Sequence, residues 1–257
     1  MICLASVEKI NEEVLAWLHS EGIGVELSYF SLPWHLDSAD LKADIQRHKQ
    51  LLNHFPLAKS MHGAFYDLNF TSRDSLIRAV STKRVYQSLE IAEELEMKHI
   101  VFHTAYVESR KNGYKNYWIE KQVAFWETIL PQIEKTGITI YLENTREPDA
   151  SYIAAIVKSL NHDLCKICYD TGHSECFTDT KLPPAQWAKE YGSDLRYVHL
   201  HSNHGWTDDH IAFHQGIISF EGFFEILEQI NPMLIIEVKT KADLLASIEE
   251  LRRCKIL

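Results

Sequence analysis

Histidines and carboxylates recur along this chain at the ends of short apolar runs. SMHGAF carries His62, IVFHTA carries His103 and TIYLEN carries Glu143. LCKICYDTGH holds Asp170 and His173, LRYVHLH holds His199 and His201, and Asp208 and His210 follow. LIIEV brings Glu237, and GVELSY contains Glu26. Imidazole and carboxylate groups bind divalent cations, transfer protons and activate water. One such residue at a strand end has an ordinary explanation, a hydrogen-bonded core histidine or a solvated glutamate. A set converging on one place does not, because crowded carboxylates repel each other and resist desolvation. A bound cation removes that conflict. Nitrogen and oxygen donors with no competing thiolate suit zinc or manganese.

Eight strand-like runs carry these residues, at 2–6, 24–29, 58–63, 99–104, 139–144, 164–170, 195–201 and 234–238. Stretches with helical spacing of apolar residues alternate with them, at 8–20, 39–55, 73–97, 118–136, 151–160, 184–191, 219–230 and 242–254. Pro131 falls inside the fourth stretch and should kink or break it. Eight β-then-α units at about 32 residues each match the βαβ module and the size of an eight-stranded barrel. The expected fold is α/β, a single (β/α)8 TIM barrel occupying residues 1–257 as one domain. In such a barrel the chemistry sits at the C-terminal ends of the strands. Cys165 and Cys168 form a CxxC, but within a strand these positions face opposite sides, so the pair is expected to be structural.

Composition narrows the function classes. The chain has 257 residues, 46% hydrophobic and 24% charged, with a formal net charge of −10. That is a globular mixture with enough length for one large core. The acidic balance argues against non-specific nucleic-acid binding. No apolar window is long enough to span a membrane, and the first residues lack the pattern of a secretory leader. With five cysteines, an odd number, the expectation is a cytoplasmic protein with no membrane partner.

Taken in order, SMHGAF, IVFHTA, YLENT, CYDTGH, VHLH, DDH and LIIEV resemble the endonuclease IV (AP endonuclease family 2) and xylose isomerase-like barrel superfamily. The resemblance covers nearly the whole chain. In the endonuclease IV branch it implies nine ligands to three zinc ions. His62 and His103 would hold one ion. Glu143 would bridge to a second, bound with Asp170, His199 and Glu237, and His173, Asp208 and His210 would hold the third. In the sugar isomerase and epimerase branch it implies one manganese-type ion on Glu143, Asp170, His199 and Glu237. There the two glutamates also move protons, and His173 binds a substrate oxygen. The expected cofactor is therefore zinc or manganese, one to three ions per chain. Glu143, Glu237 and His173 are the candidate catalytic residues.

Further residues are candidates for substrate contacts. Trp34, Phe65, Tyr66 and Trp206 are aromatic residues in loops at the expected mouth, where sugars or bases stack. Arg110, Lys111, Tyr114 and Lys115 follow the fourth strand and read as a phosphate-gripping lid or as a solvated charge cluster. Lys239 reads as a phosphate contact or a surface lysine, and His201, one layer nearer the mouth than His199, as a substrate contact. Glu26 stays open between a substrate contact and a salt-bridged barrel residue. The chain also departs from the endonuclease IV pattern, with His214-Gln215-Gly216 for Gly-Glu-Gly and His201-Ser202 for Asn-Asp after the seventh strand. These departures turn the expected partner from DNA toward a small sugar or sugar phosphate. Two activities remain expected: hydrolysis of a phosphoester at a multinuclear metal site, or isomerisation or epimerisation of a sugar at one ion.

Overall fold

A computed structural model describes residues 1–109 and 111–257. Eight strands pair in chain order and close into a barrel. They are β1 (Cys3–Val7), β2 (Gly24–Leu27), β3 (Lys59–His62), β4 (His99–His103), β5 (Thr139–Glu143), β6 (Cys165–Asp170), β7 (Leu195–Leu200) and β8 (Met233–Ile236). Every pairing is parallel, and β1 closes against β8 through Leu4 opposite Ile235. The expected (β/α)8 barrel is thus the observed fold.

The outer helices are α1 (Glu12–Glu21), α2 (Pro33–Leu36), α3 (Leu41–Asn53), α4 (Ser75–Glu94), α5 (Tyr114–Glu127) and α6 (Leu130–Thr136). The series continues with α7 (Ser151–Leu160), α8 (Thr171–Cys176), α9 (Pro184–Tyr191), α10 (Phe223–Ile230) and α11 (Lys241–Arg253). The stretch expected at 118–136 is two helices, because Pro131 sits in the first turn of α6, where its missing N–H costs nothing. Helix α1 starts later than expected because the Asn11 side chain caps it, accepting from Val14 N. Gly22, at φ 73°, ends it.

Strand alternation divides the core. Outward residues such as Val25, Phe102, Ile167 and Val198 pack under the helices, whereas Leu4, Val101, Tyr141, Cys168, Tyr197 and Ile235 form a separate cluster inside the barrel. Cys165 belongs to the outer set and Cys168 to the inner, so the CxxC pair faces opposite ways, as expected. Two residues beyond Val101, Tyr141, Cys168, Tyr197 and Ile235 lie His103, Glu143, Asp170, His199 and Glu237, so one parity places both the apolar floor and the polar layer above it. Among the described residues, no helix is long and apolar enough to cross a membrane.

Candidate metal centre

Glu143 stands at the middle of the polar layer. Its Oε2 lies 3.2 Å from His62 Nε2 and 3.3 Å from His103 Nε2. Its Oε1 lies 3.2 Å from His199 Nδ1 and 3.3 Å from His173 Nδ1. His199 Nδ1 is also 2.9 Å from Glu237 Oε2 and 3.7 Å from Asp170 Oδ2. Further out, Asp208 Oδ2 is 2.7 Å from His210 Nε2 and 3.3 Å from His173 Nε2. The nine residues expected as ligands therefore come together from β3 to β8 and the loops that follow.

Backbone carbonyls fix which imidazole nitrogens face inward. A carbonyl oxygen only accepts, so the ring nitrogen beside it carries the proton. His62 Nδ1 donates to the Gly63 carbonyl at 2.8 Å, His173 Nδ1 to Asn144 at 2.9 Å and His210 Nδ1 to Glu237 at 3.0 Å. Each ring thereby turns Nε2 toward a carboxylate. His199 is reversed: its Nε2 meets Glu26 Oε2 at 3.1 Å and its Nδ1 faces the carboxylates. Metal-binding histidines are held this way, through the nitrogen that does not coordinate.

The donor sets fit a divalent cation. One donor atom each from Glu143, Asp170, His199 and Glu237 can be chosen so that all lie within 4.8 Å of one another. The same holds for His62, His103 and Glu143, and for His201, Asp208 and His210. Bonds of about 2.0–2.2 Å place tetrahedral zinc ligands roughly 3.4 Å apart, near the 2.9–3.7 Å separations around His199. Glu237 Oε2 and Asp208 Oδ1 are buried without an aligned hydrogen bond, an expensive state unless something positive meets them. Cys168 also lies within this radius of Glu143 and His199, but burial pushes its thiol well above the usual range, so it is not a thiolate donor.

Electrostatics follow the same plan. Burial works against the ionised Glu143, yet the His103 and His199 charges hold it well below the usual carboxylate range. Glu237 and Asp208 are likewise depressed against burial, Glu237 by His199 and Asp208 by His173 and His210. Burial also opposes the charged form of His199, but Glu237, Glu26 and Glu143 raise it well above its ordinary value. Burial opposes the charged form of His210, but the Asp208 hydrogen bond and the Glu237, Asp208 and Asp170 charges together raise it to about 9. His103 is lowered, because there burial wins over Glu143.

A cleft of about 630 Å³ opens onto this layer, reaching His62, His103, His173, Asp208, His210 and Glu237. Phe65 lines it, with its ring centroid 4.7 Å from that of His103. The remaining wall comes from the end of β1 and the start of α1, from the segment after β2 and from residues between Val238 and Leu244, and includes Glu8 and Glu13. The cations among the described lining residues are Lys239, whose ammonium donates to the Asp208 carbonyl at 2.8 Å, and Lys241, which lies 4.6 Å over the Trp17 ring.

Several expected substrate contacts fall elsewhere. His201 is fully buried, not at the mouth; its Nε2 is 3.1 Å from both Asp170 oxygens and its ring stacks on His210. The cause is the loop after β7, which doubles back through paired Ser202–Ile211 hydrogen bonds and covers it. Trp206 is 89% exposed at the tip of that loop and does not line the cleft. Trp34 is exposed beside Tyr66, with ring centroids 5.6 Å apart, also outside the cleft lining. Lys111 and Tyr114 line a separate hollow with Arg73, and Lys115 reaches Ser151 and Asp149, as the solvated-cluster reading has it. Arg110 lies outside the described residues. Glu26 is resolved as an interior barrel residue, bonded to Tyr197 and His199.

Residues 19–254 match a family model described as xylose isomerase-like TIM barrel. The chain belongs to that family. Two uncharacterised proteins of Methanocaldococcus jannaschii are relatives. One is 26% identical over 203 residues, covering 75% of this chain and 67% of the relative. The other is 28% identical over 211 residues, covering 80% and 78%. Among solved structures, a Thermus thermophilus protein soaked with ZnCl2 superposes with a TM-score of 0.83 at 22% identity, covering 98% of this chain and 97% of that one. A D-tagatose 3-epimerase-like protein gives 0.75 at 24% identity, covering 89% and 86%. A D-psicose 3-epimerase in the presence of D-fructose gives 0.71 at 15%, covering 98% and 93%. At these identities the structures establish a shared fold for this xylose isomerase-like barrel.

Proposed function

We propose that this protein is a divalent-metal-dependent isomerase or epimerase of a small sugar, with the principal ion on Glu143, Asp170, His199 and Glu237. The observation that carries the reading is the character of the cleft. Carboxylates at Glu8, Glu13, Asp208 and Glu237 line it, and the ammonium groups of Lys239 and Lys241 are engaged by a carbonyl and a ring. Carboxylates and imidazoles together hydrogen-bond hydroxyls, and neither lysine is free to grip a phosphate, so a neutral sugar stands ahead of a sugar phosphate, and both ahead of DNA. The epimerase neighbours within the fold are consistent with it.

A zinc or manganese ion bound there would polarise the substrate carbonyl and offset the charge developing on its oxygen. The chain's own residues supply the proton transfers. The Glu237 side chain is 21% exposed against 1% for Glu143, which makes Glu237 the base the cleft reaches. It takes the proton from the carbon beside the carbonyl, and that bonding pair moves toward the carbonyl oxygen. The proton then goes back from the Glu237 carboxyl to the neighbouring carbon, which completes an isomerisation. In an epimerisation Glu237 keeps it, and Glu143, ionised at rest and therefore first taking a proton from solvent, delivers one to the opposite face of the same carbon. Phe65 offers an apolar face to the ring carbons of the sugar.

The hydrolase reading keeps one specific support: the two Glu143 oxygens divide between two donor sets, as a bridge between ions would. The deciding experiment is incubation of the metal-loaded enzyme with a panel of ketoses and aldoses in deuterated water. Deuterium entering at the carbon beside the carbonyl, and lost in Glu237→Gln, supports the isomerase. No exchange on any sugar, with turnover of a phosphoester, would overturn it.

A further inference from the structure

We infer that Glu26 is a positioning residue that selects Nδ1 of His199 as its coordinating nitrogen and thereby sets the affinity of the metal centre. The inference rests on the metal-dependent reading above and concerns a residue outside all the donor sets. Glu26 is fully buried on β2 and its side chain enters the barrel below the polar layer. Its Oε2 accepts from Tyr197 Oη at 2.6 Å and lies 3.1 Å from His199 Nε2. Tyr197 Oη is also 2.6 Å from Ser60 Oγ. A phenol has a single proton, and here it goes to the carboxylate, so the serine hydroxyl must donate to the phenol. The chain therefore runs in one direction, Ser60 to Tyr197 to Glu26, with His199 donating into the same oxygen from the other side.

The arrangement is selective for three reasons. A carboxylate oxygen accepts only, so it holds the proton on Nε2 and leaves Nδ1 as the lone-pair nitrogen. Nδ1 is the atom that meets Glu143, Glu237 and Asp170 at 2.9–3.7 Å. His199 also differs from His62, His173 and His210, which use backbone carbonyls to present Nε2. Its orienting partner is a side chain, so a single substitution can remove it without moving the backbone. Glu26 is itself a member of neither the cleft lining nor any donor set and reaches the centre only through His199, which separates it from the catalytic groups.

The test uses the full chain, stripped of metal and titrated with Zn2+ in competition with a chromophoric chelator. Loss of an outer partner of a metal-binding histidine weakens binding by about 10–100-fold. Glu26→Leu, similar in bulk but without an acceptor, is expected to fall in that range. Glu26→Gln, whose amide oxygen still accepts from Nε2, is expected to stay within about threefold of the unsubstituted protein. A purely structural role would lower the melting temperature of both variants without separating their affinities. Equal affinity for the unsubstituted protein and Glu26→Leu overturns the inference and leaves the metal reading standing. An unsubstituted protein that takes up no ion overturns both. Should Glu26→Leu not fold, ring 15N spectra of the zinc-loaded unsubstituted protein decide the matter. Metal on Nδ1 and the proton on Nε2 of His199 support the inference, and the reverse overturns it.

Discussion

The ring of His201 lies flat on that of His210, with centroids 4.0 Å apart and planes 9° from parallel. On its other side His201 crowds Gly172, where an added Cβ would stand 2.0 Å from Cε1. Nothing but hydrogen fits at that position, which accounts for glycine between Thr171 and His173. The Thr171 hydroxyl ties the same segment down by donating to the His201 carbonyl at 2.7 Å. Gly172→Ala must push the ring off Asp170, and overpacking of this kind costs about 1–3 kcal/mol. For a chain of this size that corresponds to a fall in melting temperature of about 2–12 °C. Zinc affinity should fall with it, since Asp170 loses the partner that orients both its oxygens. An unchanged melting temperature would show that the ring yields freely.

Ion stoichiometry separates the parts of the centre. Glu237 belongs to the four-donor set, and His62 does not. Glu237→Gln should remove the principal ion and the base together, lowering turnover by about 100–10,000-fold, the usual worth of a positioned acid–base group. His62→Ala should keep one ion per chain and reduce turnover far less. Mass spectrometry of protein purified without a metal-affinity tag reads the first quantity and sugar interconversion the second. Loss of the principal ion in His62→Ala would show that the donor sets act as one cluster, and would favour the hydrolase.

The pH response of the ion-free protein follows from His210. Its folded value is about 9 against an ordinary 6.5, so the pair with Asp208 stabilises the fold fully below about pH 6.5. That contribution disappears as pH rises through about 9. The melting temperature of chelator-treated protein should therefore decline across this window. A bound ion displaces the same proton, so zinc affinity should rise over the window in which ion-free stability falls. A melting temperature independent of pH between 6.5 and 9 would contradict the pairing.

The barrel and the histidines and carboxylates at its strand ends were legible because both follow from periodicity, whereas His173, Asp208 and His210 lie beyond the strands and were grouped with them by the resemblance. From the fourth strand onward each strand-end donor sits two residues beyond an interior apolar or aromatic residue, as Glu143 follows Tyr141 and Glu237 follows Ile235. Parity also put His201 on the correct face. It could not show that residues 202–211 fold back over it, since that depends on a backbone pairing between Ser202 and Ile211. Glu26 stood out in an otherwise apolar run, but its partner Tyr197 is 171 residues away, beyond any local pattern. Helices α2 and α8, of 4 and 6 residues, are too short to display a helical period. For the loop residues Lys111 and Trp206 the only sequence signal is chain proximity to the mouth, and loops do not preserve that proximity in space.

Phe65 and Trp206 make opposite predictions from the same residue class. Phe65 lines the cleft and packs against both His62 and His103, with ring centroids 5.3 and 4.7 Å away. A sugar seated over the donors must meet its face, and an aromatic contact of this sort contributes about 0.5–1.5 kcal/mol. Phe65→Ala should therefore raise KM roughly 2–12-fold while leaving zinc affinity unchanged. Trp206, 89% exposed and outside the cleft lining, has no such contact, and Trp206→Ala should match the unsubstituted enzyme in both quantities. Steady-state kinetics on the accepted sugar compare the two directly. A KM that rises in Trp206→Ala would mean that the loop after β7 closes over bound substrate, bringing its tip some way from where it rests here.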